Sequence, residues 1–196
     1  MKFNALLFSS MLVLAACGQK TDTANADMNS SDTSMTGTNM DSGNGMAMDN
    51  AAAASPLSAQ GFVNAAAASD RFEIESSKLA SAAGASSATK AFATKMIDAH
   101  TASTAKLKST TASMSPAVTP DATLTAEQQS TLDSLKPLKG ADFDAAYETA
   151  QVDAHTKTLD ALKNYSASGD TPALKTFADG LIPTVTAHVN MAKGLK

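Results

Sequence analysis

From residue 58 onward, apolar and small residues recur at alternating steps of three and four, the period of a helix with one buried face. Phe62, Ala66, Ser69, Glu73, Ser76 and Ala80 form the first such face and predict a helix over about 58–83, closed by Gly84 as C-cap. Phe92, Met96, Ala99, Ser103 and Leu107 predict a second over about 86–113. A connection of nearly thirty residues follows, carrying Pro116, Pro120, Pro137 and Gly140. Inside it, Thr125-Ala126-Glu127-Gln128 reads as a capping box opening a short helix that reaches about Leu135. Phe143, Tyr147, Ala154, Thr158, Leu162 and Tyr165 place the third long helix from about Asp142, its expected N-cap, to about Ser166. Gly169-Asp170-Thr171-Pro172 then supplies a stop, a cap and a proline at the first helical position. The fourth helix turns Phe177, Leu181, His188 and Leu195 inward, runs to Gly194, and is expected to kink at Pro183. No alternation with period two persists. The expected fold class is all-α: a four-helix bundle whose long connection between helices two and three permits the crossover of ferritin-like bundles.

The first 57 residues follow other rules. Met1-Lys2 precedes a mostly apolar run from Phe3 to Ala16, which has signal-peptide length and falls short of the roughly 20 residues needed to span a bilayer. The run ends in Leu14-Ala15-Ala16-Cys17, which resembles the lipobox of bacterial lipoproteins. That resemblance implies cleavage before Cys17 and lipid attached to it. Cys17 is the chain's one cysteine, a thiol with no disulfide partner in an oxidising compartment. Several acyl chains on one residue give stable attachment. By likeness to enteric sorting, Gly18 directs the product to the periplasmic side of the outer membrane. Residues 17–57 are dominated by Thr, Asp, Asn, Ser, Gly and Met, a composition that cannot bury enough apolar surface to order itself. They read as a tether; forty residues of coil span roughly 35 Å. The expected organisation is therefore 1–16 signal peptide, 17–57 lipidated tether, 58–196 bundle. Met28, Met35, Met40, Met46 and Met48 lie within the tether. Thioethers suit Cu(I), but the irregular spacing favours filler in a polar run.

Charge narrows the partners. The formal net charge is −4, and about −5 once Lys2 is removed, with no basic block. Nucleic acid and anionic lipid are poor partners for such a chain. The membrane, through lipid on Cys17, and another envelope protein are the partners expected. No Gly-rich phosphate loop, no G-x-S-x-G elbow and no cysteine nucleophile of the bundle appears, so no enzyme is expected.

A wider pattern joins these elements. Phe92-Ala93-x-x-Met96-Ile97-Asp98-x-His100, Leu138-x-Gly140-x-x-Phe143-Asp144-x-x-Tyr147, Val152-x-x-His155 and Phe177-Ala178-x-x-x-x-Pro183-x-x-x-x-His188 occur in order over about 60–195. Together they resemble the bacterial family called domain of unknown function 4142. The resemblance implies a ferritin-like bundle and export, often as a lipoprotein; it implies no activity.

The chain's three histidines stand in one phrase: Ile97-Asp98-Ala99-His100, Val152-Asp153-Ala154-His155 and Val185-Thr186-Ala187-His188, each with leucine seven residues on. The stretch from Phe92 to Lys108 echoes Tyr147 to Lys163 at a fixed offset of 55. One reading is a metal site of His100, His155 and His188, with Met96 and Met191 adding sulfur from the same helix faces and Glu73 a carboxylate. Copper is the candidate ion. The other reading is packing, with neutral histidines bonded across the interior and Glu73 in a structural ion pair. Because the crossover need not bring three helices to one depth, the ring nitrogens are expected more than about 8 Å apart, too far for one ion bonded at about 2 Å to each; His188 is expected to be the most buried. A di-iron centre is excluded by pattern: no Glu stands three residues before any histidine, and Asp98 and Asp153, two before theirs, face outward. The function expected is a non-catalytic envelope interaction module, with periplasmic metal binding as the alternative. Cys17→Ser should release the protein from membranes and abolish labelling by fatty acid; a variant that still fractionates with membranes would contradict the lipobox reading.

Overall fold

The computed structural model describes residues 58–83 and 86–195. The expected signal peptide, Cys17, the Met-rich tether and the Gly84 cap lie outside the described residues. Five helices form: α1 Ala59–Ala82, α2 Ser87–Ala112, α3 Ala126–Leu135, α4 Gly140–Ser168 and α5 Pro172–Ala192. Among the described residues there is no strand, and no helix is long and apolar enough to cross a membrane. The four long helices are those the periodicity predicts.

Their ends follow local chemistry. Ser58 and Ser86 cap α1 and α2 by accepting from the backbone N–H of Gly61 and Thr89. The capping box of α3 is complete: Thr125 Oγ1 accepts from Gln128 N–H, and Gln128 Oε1 from Thr125 N–H. The expected N-cap at Asp142 is displaced. Gly140, at φ +56°, lets the chain turn into α4 three residues earlier, with Lys139 at the N-cap, and Asp142 sits in the first turn, where its charge meets the helix dipole. Pro172 opens α5 as expected, and Pro183 lies inside it. At the C-cap of α4 only glycine fits: a Cβ on Gly169 would come within 2.5 Å of the Tyr165 carbonyl oxygen.

Cross-helix contacts give the helix directions. Phe62 stacks on Tyr165 at 4.0 Å between ring centroids, Ser69 bonds to Thr158 and Ser77 to Tyr147, so α1 and α4 are antiparallel. Asp70 reaches both His100 and Thr104, and α1 and α2 form an antiparallel hairpin. Ser166 bonds to Asp179, pairing α4 with α5. It follows that α2 and α4 run parallel. The connection from 113 to 139 must then return along the whole bundle, and it does so against α1. Gln60 donates to the Thr119 carbonyl, the Asp121 N–H to Asn64, and Arg71 to the Ala122 carbonyl. This is the crossover of ferritin-like bundles.

Two apolar clusters fill the ends of the interior. One contains Phe62, Val63, Leu107, Leu162, Tyr165, Leu174, Phe177 and Val185. The other contains Ala80, Phe92, Met96, Leu135, Phe143, Tyr147 and Ala192. Between the two clusters each long helix buries polar residues: Asp70, Glu73, Ser76 and Ser77 on α1, His100 on α2, Gln151 and His155 on α4, and His188 on α5. Phe62 joins three helices by stacking on Tyr165 and meeting Phe177 edge-on at 6.3 Å. Phe62→Ala is expected to cost about 3–5 kcal/mol in chemical denaturation; a loss below about 1 kcal/mol would mean that this end of the bundle is not packed.

Candidate metal centre

The polar layer holds all three histidines, buried: His100 from α2, His155 from α4 and His188 from α5. Each offers one ring nitrogen, and these three atoms lie within 4.8 Å of one another. Ring centroids are 5.4 Å apart for His100–His155, 5.6 Å for His100–His188 and 5.2 Å for His155–His188. The expected separation beyond 8 Å is therefore wrong. Parallel α2 and α4 carry their matching phrases at one level, and the α4–α5 hairpin brings the turn with His188 alongside. The most buried ring is also not His188, at 6 % exposure, but His155, at 0 %; α4 presents His155 to the interior while α5 keeps one edge of His188 toward solvent.

Outer partners fix two of the rings. His100 Nδ1 lies 2.8 Å from Asp70 Oδ1, and the other oxygen of Asp70 accepts from Thr104 at 3.1 Å. A carboxylate only accepts, so His100 Nδ1 carries the hydrogen. His155 Nδ1 lies 2.8 Å from the Gln151 carbonyl oxygen one turn earlier and is likewise the donor. With both Nδ1 atoms protonated, the neutral rings present bare lone pairs at Nε2. Those two Nε2 atoms face each other at 3.3 Å. Two lone pairs at that distance repel unless a cation stands between them, either a proton on one ring or a metal ion.

Electrostatics divides the set. Burial would lower the pKa of His100, but its hydrogen bond to Asp70 and the charges of Glu73 and Asp70 outweigh that and raise it. Burial, then the charge of His100, pushes His155 down to about 3, and the same two causes push His188 to about 4. The only group of the layer ready to take the bridging proton is thus His100. Glu73, 1 % exposed, is pushed up by burial to about 7, against the pull of His100.

The remaining sequence candidates are placed differently. Glu73 Oε1 lies 3.6 Å from His155 Nδ1, the ring edge away from the facing Nε2 atoms, so Glu73 stands behind a histidine and outside the three-nitrogen set. With His155 neutral, this contact is no ion pair; the charged pair of the layer is Asp70–His100. Met96 belongs to the apolar cluster of Phe92, Phe143 and Tyr147, and Met191 packs against the same cluster, which accounts for both by packing. Asp98 and Asp153 are exposed, as expected. Asp70 and Gln151 were missed. Asp70 had one legible signal, its place three residues before Glu73 on α1, which puts two acids on one face. Glu73 Oε1 and Oε2, Gln151 Oε1 and His188 Nδ1 are buried without a hydrogen-bond partner. Gln151 Nε2 donates to Ser76.

The family described as Domain of unknown function (DUF4142) matches residues 44–195, and the chain belongs to it. Comparison with curated proteins and with solved structures gave no match.

The shifted histidines make stability depend on pH. An unfolded histidine binds its proton near 6.5, whereas folded His155 and His188 refuse it until about 3 and 4. Their contribution is complete above about 6.5 and is lost as pH falls. Glu73 acts oppositely between 4.5 and about 7, because there the folded chain holds a proton that the unfolded chain releases. Two histidines outweigh one carboxyl. The Tm of metal-free protein should fall from pH 6.5 to 4, most steeply below 4.5, and His155→Asn should flatten that fall. A Tm that rises on acidification would show that the rings are charged in the fold.

Proposed function

We propose that this member of the DUF4142 family is a metal-binding protein of the cell envelope, which holds one transition-metal ion in a bundle-core site of three histidines. The observation that carries the reading is the pair of Nε2 atoms facing each other at 3.3 Å. Two nitrogens bonded at about 2.0–2.1 Å to one tetrahedral ion stand about 3.3–3.4 Å apart. The third nitrogen, at most 4.8 Å from the others, comes into range with a shift of about 0.7 Å per ring. The outer partners support the same reading. Histidine ligands ordinarily donate their second N–H to a carboxylate or a backbone carbonyl, and here His100 uses Asp70 and His155 uses the Gln151 carbonyl.

Three imidazoles suit copper, zinc, iron and nickel alike, and among divalent ions of the first row copper binds such a set most tightly. Copper is our proposed ion, and storage or tolerance rather than catalysis is our proposed role. Lipid on Cys17 would hold the domain at the outer membrane, facing the periplasm. A second reading has its own support: a largely apolar groove of about 600 Å³ between α1, α3 and α4, floored by Phe62, Phe72 and Leu162, is the kind of surface an envelope partner would use.

The test is a titration of mature protein in which the five tether methionines are leucine, so that the tether binds no copper of its own. Copper(II) and zinc(II) should each bind at one per chain, copper more tightly. His100→Ala, His155→Ala and His188→Ala should each weaken binding sharply. Asp70→Asn, which leaves the ligands in place, should cost roughly 10- to 100-fold in affinity. If the three alanine variants bind metal as wild type does, the histidines are packing elements and the proposal fails.

A further inference from the structure

We propose that the ion held by His100, His155 and His188 keeps one coordination position free of protein, occupied at rest by water and open to small monodentate ligands of the azide class. The inference rests on the metal-centre reading above and adds what the site accepts.

Among the described residues, the set of donors close enough to share an ion contains three histidine nitrogens and no carboxylate. The two acids of the layer are turned elsewhere. Asp70 is held by His100 Nδ1 and by the Thr104 hydroxyl, with both oxygens in use. Glu73 approaches His155 from its Nδ1 edge. An imidazole's two nitrogens point away from each other, so a group seated at Nδ1 is on the wrong side of the ring to reach an ion at Nε2. The fourth long helix, α1, therefore supplies groups behind two of the ligands. Four-coordinate ions are the rule for zinc in proteins, and three protein ligands leave a position that water or an incoming ligand fills.

Access to that position is narrow. His155 is fully buried, while His100 and His188 keep 5 % and 6 % of their surface exposed. What little exposure the three residues have is therefore on α2 and α5. The α1–α3–α4 groove and a cavity of about 380 Å³ beside α1 and α2 have linings that include none of the three histidines. A ligand must therefore be of few atoms. In the exchange a metal–oxygen bond to water breaks, a metal–nitrogen bond to azide forms, and water leaves. The same open position is where a donor on a receiving molecule would begin to take the ion away.

Cobalt(II) is the probe, because its visible absorption reports the number and kind of its ligands. Mature protein with leucine at the five tether methionine positions is loaded with cobalt and titrated with azide, then separately with benzoate. Azide should shift the visible bands and add a charge-transfer band along one saturating curve, at one azide per cobalt; benzoate should leave the spectrum unchanged. Cobalt that binds but ignores azide would overturn this inference while leaving the metal centre intact. A response to azide seen in Glu73→Gln but absent from wild type would overturn it too, by showing the carboxylate in the fourth position. An equal response to benzoate would overturn the size limit. No uptake of cobalt, copper or zinc would remove the metal centre and this inference with it.

Discussion

The parallel passage of α2 and α4 through the bundle is the constraint on which the rest depends. Two stretches of similar sequence, 55 residues apart, meet in the same direction because the connection between them travels the length of the molecule. Had the loop been short, α2 and α4 would be antiparallel, and the matching phrases would share a level only by accident of register. As built, His100 and His155 arrive at one depth with their Nε2 atoms facing. The hydrogen bonds that hold the returning chain, from Gln60, Asn64 and Arg71 of α1, are therefore structural supports of the histidine layer although they lie on the outside of the bundle.

That layer runs against the ordinary economy of a helical core. Glu73 is desolvated with both oxygens lacking donors, and Gln151 Oε1 and His188 Nδ1 are alike unpaired. A buried polar atom without a partner costs on the order of 1–3 kcal/mol, and well-packed apolar residues of similar volume would avoid the cost. The layer nonetheless spans all four long helices, with Asp70, Glu73 and Ser76 on α1 and one histidine on each of α2, α4 and α5. Packing alone gives no reason for so many polar groups at one depth. On the proposed reading an ion shared by the three rings would give one, since it would bond the facing nitrogens and bring positive charge beside the carboxylates. Conserving the charge balance of such a centre is also a reason for two acids to sit just behind the ligands.

Much of this was legible in the sequence, and the failures have identifiable causes. Helix number, the capping box at Thr125 and the proline start of α5 follow from local rules that tertiary structure did not override, and the long connection left room for the crossover. Period placed His188 inward, but on the other two helices it chose Ala99 and Ala154, one residue short of His100 and His155, which are the buried positions. Depth did not follow from period, because period fixes which face a residue occupies and says nothing of how far along the axis its neighbours stand. Only the direction of α4 relative to α2 supplies that, and it is a property of the chain's path. Asp70 was missed because an isolated aspartate on a helix is ordinarily a solvated charge; its partner is thirty residues away on another helix. Met96 and Met191 illustrate the opposite error. Their spacing from a histidine is right for a shared face, but one turn along this bundle is enough to leave the polar layer and enter the Phe92–Tyr147 cluster.

The position of those apolar clusters explains why a weakly amphipathic, alanine- and serine-rich chain can hold a site of this kind. Met96 and Leu107 flank His100 along α2, Tyr147 and Leu162 flank His155 along α4, and Val185 and Ala192 flank His188 along α5; in each pair one residue belongs to each cluster. Each ring is thus fixed above and below by close-packed side chains, which resist displacement better than a loop would. Hydrogen bonds at Nδ1 then set the rotation of two of the rings. His188 has no such bond at Nδ1, so its rotation is set by packing alone.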